Sequence, residues 1–234
     1  MTATVYGLGV GPGDPELITV KALRRLRAAP VVAYPAPEQG ASFARAIVAR
    51  WLVPAQSELA IRVPMASARF PAEAVYDRAA DDILGHVAAG REVAVLCQGD
   101  PFFYGSFMYL FARLAERAPV EVVPGVSSLS ACAAAAGWPL AARDDALIVL
   151  PASLADDELA RRIAAADSVA LIKLGRHFLR VRDVLRRLGL AADAHYIERA
   201  TTASERVLPL DAVDASSVPY FSMILLHRRG GAGR

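Results

Sequence analysis

Val5-Tyr6-Gly7-Leu8-Gly9-Val10-Gly11-Pro12-Gly13-Asp14-Pro15-Glu16-Leu17 begins as a short apolar run and ends in a glycine-rich Gly-Asp-Pro turn. Farther along, Val93-Ala94-Val95-Leu96-Cys97-Gln98-Gly99-Asp100-Pro101-Phe102-Phe103-Tyr104-Gly105 repeats the arrangement. Each apolar run reads as a buried strand. In α/β proteins small ligands sit at the carboxyl ends of strands. The two turns therefore read as two walls of one small-molecule site.

Outward from these turns, strand-like runs alternate with helical ones. Residues 4–9 predict a strand, and Asp14 predicts a helix N-cap with Pro15 at the first helical position. Leu17, Val20, Leu23 and Leu26 supply that helix's apolar stripe, and residues 30–35 the next strand. The clearest helical periodicity runs over residues 72–87, closed by Gly90, with a buried strand at 92–97 and another helix through Phe107, Leu110, Phe111 and Leu114. Residues 120–123 predict one more strand. This alternation with short connections argues for a largely parallel sheet. Beyond Pro124-Gly125, strands are predicted at 147–150, 168–173, 194–198, 206–210 and 220–227, with a helix through Phe178, Val181, Val184, Leu185 and Leu188. The last strands leave no room for intervening helices, so the second sheet reads as mixed. The expected fold is thus two α/β domains, residues 1–120 and 121–234, the first with a largely parallel sheet and the second with a mixed one. The glycine-rich tail after Arg229 is expected to be disordered.

Composition narrows the function. The chain of 234 residues is 55% hydrophobic, enough for a proper core, and its net charge is only +2 without a basic run, which argues against nucleic acid. Of its 26 basic residues only Lys21 and Lys173 are lysines. That bias reads first as a GC-rich genome and second as a need for carboxylate or phosphate recognition. Cys97 and Cys132 form no disulfide framework, and His86, His177, His195 and His227 show no metal-ligand spacing. A reduced, cytoplasmic protein without a bound metal is expected. The N-terminus shows no charged n-region, so no signal peptide is expected. Residues 122–142 carry no charge, but Pro124-Gly125 and Gly137-Trp138-Pro139 break the run. The uninterrupted part would make a helix of about 15 Å, too short for a bilayer, and reads as a buried core helix.

The glycine loop does not fit the common nucleotide motifs. Started at Gly7, the dinucleotide fingerprint G-x-G-x-x-G would place its third glycine on Pro12; started at Gly9, on Asp14. Tyr34-Pro35 stands where the ribose-binding acid belongs, and no Gly-Lys-Ser/Thr occurs. A nicotinamide oxidoreductase is therefore disfavoured.

The Gly-x-Gly-Pro-Gly-Asp-Pro string, with Gly99-Asp100-Pro101 and Val123-Pro124-Gly125-Val126-Ser127-Ser128, resembles the tetrapyrrole methyltransferase family in order and spacing. The resemblance covers the whole chain, continuing into Ile172-Lys173-Leu174-Gly175-Arg176, Glu198-Arg199-Ala200-Thr201 and Pro219-Tyr220-Phe221-Ser222. Cys97 through Ser106 and Ile172 through Phe178 point to the branch that methylates carbon 20 of precorrin-2 in cobalamin biosynthesis. Gln98 and Ser106 depart from the Gly-Gly-Asp-Pro and Phe-Gly-Arg of the uroporphyrinogen branch. Alternatives within the family are cobalt-precorrin-2, another precorrin, uroporphyrinogen, or a protein or RNA acceptor. A non-catalytic binder is the alternative outside enzymology.

The resemblance implies a homodimer of two-domain α/β chains, with S-adenosylmethionine folded in a cleft between the domains. It implies cofactor contacts at Pro12, Gly99, Asp100, Phe103, Ser127, Ser128 and Ala200, and one at the strand end near Lys173. For a carboxylate-rich macrocycle it points to Arg176 and Arg199, with Arg206 nearby, and to Tyr34 and Tyr104 as packing surfaces. Each has an ordinary reading too. Asp100 in isolation is a turn aspartate bonded to nearby amides, and Asp14 a helix cap. Ser127 and Ser128 are helix caps, the arginines solvated surface groups, the tyrosines core residues. Lys173 is a strand-end charge, and His177 a helix-start residue rather than a proton acceptor. Direct methyl transfer from a sulfonium needs no covalent intermediate, and no general base is named.

Overall fold

A computed structural model of the chain describes residues 3–63 and 73–228. The expected helix start at Ala72 and the tail after Arg229 lie outside the described residues. The chain divides into two compact units, Met1–Ser127 and Ser128–Arg234.

The first unit runs β1 (Val5–Gly9), α1 (Val20–Ala28), β2 (Val31–Pro37), α2 (Phe43–Val48), β3 (Ser57–Val63), α3 (Glu73–Ala88), β4 (Val93–Cys97), α4 (Phe107–Leu114) and β5 (Val120–Val123). Its five strands lie in the order β3-β2-β4-β1-β5. Every pairing is parallel, and β5 pairs with β1, so the strand at 120–123 belongs to this first sheet. Alternate strand residues build two cores. Tyr6, Leu8, Val32, Ala94 and Leu96 pack with Ala22 and Leu26 of α1 and Ala44, Ile47 and Val48 of α2. Val5, Val31, Ala33, Val93 and Val95 pack with Tyr76, Ala79 and Ile83 of α3 and Phe107, Leu110 and Leu114 of α4.

That division of helices follows from handedness. The connections β1→β2→β3 step one way across the sheet, and β3→β4→β5 step back. Right-handed crossovers then place α1 and α2 on one face and α3 and α4 on the other. The helices leaving the adjacent strands β1 and β4 go to opposite faces. Their carboxyl ends form the topological switch point, where open α/β sheets bind ligands. Both Gly-Asp-Pro turns sit there.

The start of α1 differs from the sequence expectation. Asp14 caps only the short turn Pro15–Leu17, accepting a hydrogen bond from the Glu16 amide at 2.8 Å. Extended backbone at Ile18 and Thr19 then interrupts the helix, and Thr19 caps α1 afresh. The interruption shifts the helical phase: Val20 faces solvent, 86% exposed, while Ala22 and Leu26 are buried. The sequence reading also passed over β3 and α2. The first is an edge strand in which Leu59, Ile61 and Val63 reach the α3 core while Glu58 and Arg62 alternate with them.

The second unit runs α5 (Ser128–Ala136), β6 (Leu147–Pro151), α6 (Asp156–Ala164), β7 (Ser168–Ile172), α7 (Phe178–Arg187), β8 (Ala194–Glu198), β9 (Arg206–Pro209) and β10 (Ser222–His227). Its sheet has the order β6-β7-β10-β8-β9. Only β6 and β7 pair in parallel; β10 runs antiparallel to both its neighbours and β9 antiparallel to β8, so the sheet is mixed as expected. α6 and α7 cover one face through Leu159, Ile163, Val181 and Leu185, and α5 covers the other through Ala131 and Cys132. α5 was expected to be a buried core helix. It packs in this core, with those two side chains buried and Leu129, Ala133, Ala135 and Ala136 partly buried beside them, while Ser128, Ser130 and Ala134 face outward. No described helix is long and apolar enough to cross a membrane.

Gly7 shows a glycine set by packing. A Cβ there would lie 2.3 Å from the buried Phe107 ring, whereas one on Gly85, on the solvent side of α3, would meet nothing within 4 Å. Gly7→Ala is expected to destabilise the fold by about 1–3 kcal/mol. Gly85→Ala is expected to stabilise it by about 1 kcal/mol through helix propensity. Thermal melts of the two variants check the opposite signs.

Candidate functional site

The turns after β1, β4 and β5 are pressed together backbone to backbone. Gly11 and Gly99 form an isolated bridge, with the Gly99 amide donating to the Gly11 carbonyl at 2.7 Å and the Gly11 amide to the Gly99 carbonyl at 3.4 Å. A Cβ on Gly125 would fall 2.2 Å from the Gly99 carbonyl oxygen, and one on Gly9 2.5 Å from the Gly125 nitrogen. Gly11 and Gly99 also take left-handed φ of 85° and 68°, which glycine adopts without strain. Gly9 and Gly125 are thus required by the close approach of neighbouring backbone, and Gly11 and Gly99 are favoured by their φ, before any ligand is considered.

Asp100 ties the same turns together. Its Oδ1 accepts from the amides of Phe102 (2.9 Å) and Phe103 (3.1 Å), and its Oδ2 accepts from the Gly125 amide (3.0 Å). Both oxygens are thus engaged by backbone, the ordinary turn role, with the addition that one bond reaches across to the β5 turn. Pro12 lies buried immediately after Gly11. Phe103 packs edge-on against Tyr104 at 5.2 Å, and Tyr104, 42% exposed, holds a left-handed φ of 55°. Tyr34 sits apart from this cluster. It packs with the α1/α2 core, and its hydroxyl engages Glu58 and Arg45, burial being the main cause of its raised pKa.

The other predicted residues lie in the second unit, apart from Ser127, which closes the first; Ser128 opens α5. Lys173 follows β7, and Arg199 and Ala200 follow β8. Because β10 lies antiparallel between these strands, with Met223 opposite both Ile172 and Ile197, its beginning meets both strand ends. The Arg199 amide donates to the Phe221 carbonyl at 3.1 Å. A Cβ on Gly175 would approach Tyr220 Cα to 3.6 Å. Lys173, Arg176, Arg199 and Ala200 are therefore gathered at one end of the sheet. Tyr220 and Phe221, each 47% exposed and edge-on to each other at 5.4 Å, join them there. The sequence reading did not single out this aromatic pair as site residues; its only signal was membership of the closing motif.

Backbone strain concentrates at these strand ends. Lys173 (φ 60°), Arg199 (φ 51°) and Thr201 (φ 67°) are all left-handed without being glycine. Such a conformation costs an L residue about 1–2 kcal/mol and collects at functional sites. The Thr201 amide donates to Glu205 Oε2 at 2.6 Å, and the Thr202 hydroxyl to the Arg199 carbonyl at 2.8 Å, so the turn around Ala200 is held from both sides. Burial pushes the Lys173 ammonium below the usual lysine range. Burial, with Arg176 and Arg180 beside it, holds His177 below the usual histidine range. Among the described residues no group of three or more His, Cys, Asp or Glu is placed to hold a metal ion.

Comparison with known proteins gives a consistent picture. The tetrapyrrole (corrin/porphyrin) methylases match residues 4–214. The cobalamin biosynthesis protein CobIJ of Mycobacterium tuberculosis is 47% identical over 231 residues, covering 95% of this chain and 46% of that protein, so this chain spans about half of that relative's length. The precorrin-2 C(20)-methyltransferase of a Sinorhizobium species is 40% identical over 230 residues, covering 95% of this chain and 94% of that one. The crystal structure of uroporphyrin-III C-methyl transferase from Thermus thermophilus, complexed with S-adenosylhomocysteine, matches with a TM-score of 0.67 at 28% identity, covering 96% of this chain and 92% of that one.

Two substitutions test the geometry with opposite signs. Asp100→Ala strips three amides of their acceptor and is expected to cost about 2 kcal/mol or more. Thr201→Gly relieves a left-handed β-branched residue and is expected to stabilise by about 1 kcal/mol. Denaturant titration of each variant against the parent measures both.

Proposed function

The chain belongs to the tetrapyrrole methylase family, and from that premise we propose that it transfers the methyl group of S-adenosylmethionine to carbon 20 of precorrin-2 in cobalamin biosynthesis. The observation that carries this reading is the Gly9–Gly99–Gly125 contact locked by Asp100 at the sheet's switch point. It gives the family's motif residues one rigid arrangement at a ligand-binding edge. The identity with the Sinorhizobium enzyme over nearly its full length supports the acceptor and the carbon.

The donor set suits S-adenosylmethionine. Backbone amides and carbonyls of glycine turns, the hydroxyls of Ser127 and Ser128 and the ammonium of Lys173 match its adenosine and its carboxylate. When bound, the cofactor supplies a methyl already activated by a positive sulfur. The protein's own task is then alignment and water exclusion. Pro12, Gly99, Asp100, Phe103, Ser127, Ser128, Lys173 and Ala200 are the proposed cofactor contacts, Asp100 acting chiefly by fixing the Phe102, Phe103 and Gly125 amides. Orientation of two reactants contributes about 7–11 kcal/mol in well-aligned systems, enough to carry such a transfer without a covalent intermediate. Arg176 and Arg199 are the proposed partners of acceptor carboxylates, for which the guanidinium fork is suited. Tyr104, 42% exposed beside the second turn, is the proposed packing surface for the macrocycle, whereas Tyr34 packs partly buried against the α1/α2 core. A homodimer and a cytoplasmic location form part of the same reading, the former checked by light scattering.

An anaerobic assay with methyl-labelled S-adenosylmethionine and precorrin-2, with and without cobalt, tests the proposal. Label at carbon 20 of metal-free precorrin-2 is the expected result, and preference for the cobalt complex would reassign the acceptor. Cofactor binding without transfer to either would sink the carbon-20 assignment.

A further inference from the structure

Resting on that reading, we infer that Glu198 is a positioning residue that holds Arg206 for a carboxylate of the tetrapyrrole acceptor. Glu198 ends β8 and is only 5% exposed, although it is an acid at a strand end. In the sheet it stands between Ser222 of β10 and Arg206 of β9. The fully buried Tyr196 donates its hydroxyl to Glu198 Oε2 at 2.5 Å. Arg206 Nη1 lies 3.5 Å from Oε1. The Ser222 hydroxyl donates to the Pro219 carbonyl at 2.6 Å.

A buried carboxylate is costly, and an apolar replacement of similar volume often serves stability as well or better. What this acid provides is a fixed partner for a side chain that otherwise stays outside. The Arg206 side chain is 52% exposed, so one part of its fork meets Glu198 while other N–H donors remain for a ligand. The remaining arginine pairs described in this unit differ. Arg161 and Arg162 hold Glu158, Arg180 and Arg187 hold Asp156, and Arg186 holds Asp183 and Asp211, all with partly exposed acids borne on or beside helices. Arg206 instead begins β9, beside the end of β8, at the sheet end that carries Lys173, Arg176 and Arg199. Its guanidinium is charged at every working pH and offers bidentate geometry. A rim of three arginines, Arg176, Arg199 and Arg206, the last preset by a buried acid, fits a flat acceptor with carboxylates around its edge.

The test uses Arg206→Ala, Arg206→Lys, Glu198→Gln and the Arg206→Ala/Glu198→Gln double variant of the full chain. For each, KM and kcat for precorrin-2 are measured with the dissociation constants of uroporphyrin, a carboxylate-rich tetrapyrrole probe, and of S-adenosylhomocysteine. Arg206→Ala and Glu198→Gln are each expected to raise KM and the uroporphyrin constant about tenfold, equivalent to about 1.4 kcal/mol. Expected alongside are kcat and S-adenosylhomocysteine binding within about twofold of the parent. Arg206→Lys recovers part of the loss, and the double variant is no worse than Arg206→Ala alone. A merely structural Glu198 would lower the melting temperature and weaken both ligands together while Arg206→Ala left KM unchanged, which overturns the inference. Loss confined to S-adenosylhomocysteine binding also overturns it, since the carboxylate held would then be the cofactor's. If the parent methylates no tetrapyrrole, the proposed function fails separately. The uroporphyrin comparison then decides alone: weaker binding by Arg206→Ala supports the inference, and equal or absent binding ends it.

Discussion

The carboxylate of Asp100 is the constraint on which the carboxyl edge of the first unit's sheet depends. Three strands end at the same edge, and each must turn sharply there. Two bonds to Phe102 and Phe103 close the β4 turn, and the third, to the Gly125 amide, ties that turn to the one after β5. The Gly11–Gly99 bridge adds the turn after β1. Glycine is needed because the chains meet at distances no Cβ tolerates. A flexible glycine-rich edge would lose considerable entropy on ordering around a ligand. Here that ordering is already supplied by the fold.

The second unit reaches a preset edge by a different route. It uses no glycine cluster at Arg199–Thr201 but accepts left-handed strain at residues that carry side chains. The surrounding sheet supports that strain: Phe221 and Glu205 bind the turn's amides, and Glu198 is anchored beneath it by Tyr196. Strain that persists in a mixed sheet with such support is set by the position, not by looseness of the chain. The cationic groups gathered there, Lys173, Arg176, Arg199 and Arg206, give that edge a character suited to anionic ligands.

Much of the architecture was legible from pattern alone. Apolar runs of four to six residues, bounded by Gly and Pro, marked most strands, since a buried parallel strand needs apolar residues on both faces. The failures have local causes. Val20 looked like part of an apolar stripe, but two extended residues reset the helical phase before it. β3 alternates charged and apolar residues as an edge strand does, and its short run carried too little signal beside a Pro-rich neighbourhood. α5, small side chains apart from Leu129, gave no periodicity to say which face would be buried.

By itself the sequence determined the fold class, the two Gly-Asp-Pro turns and the motif set of the family, because these depend on local patterns of residue size and turn chemistry. Tertiary structure alone decided what each motif residue does. Asp100 is a cross-brace because β5 lies beside β1 and brings the Gly125 amide within reach. Tyr34 belongs to the core because α2 packs over β2. Glu198 and Arg206 become partners because β8 and β9 pair in that register. Each of these contacts joins residues through sheet register or helix packing, and neither is encoded in the spacing of any single segment.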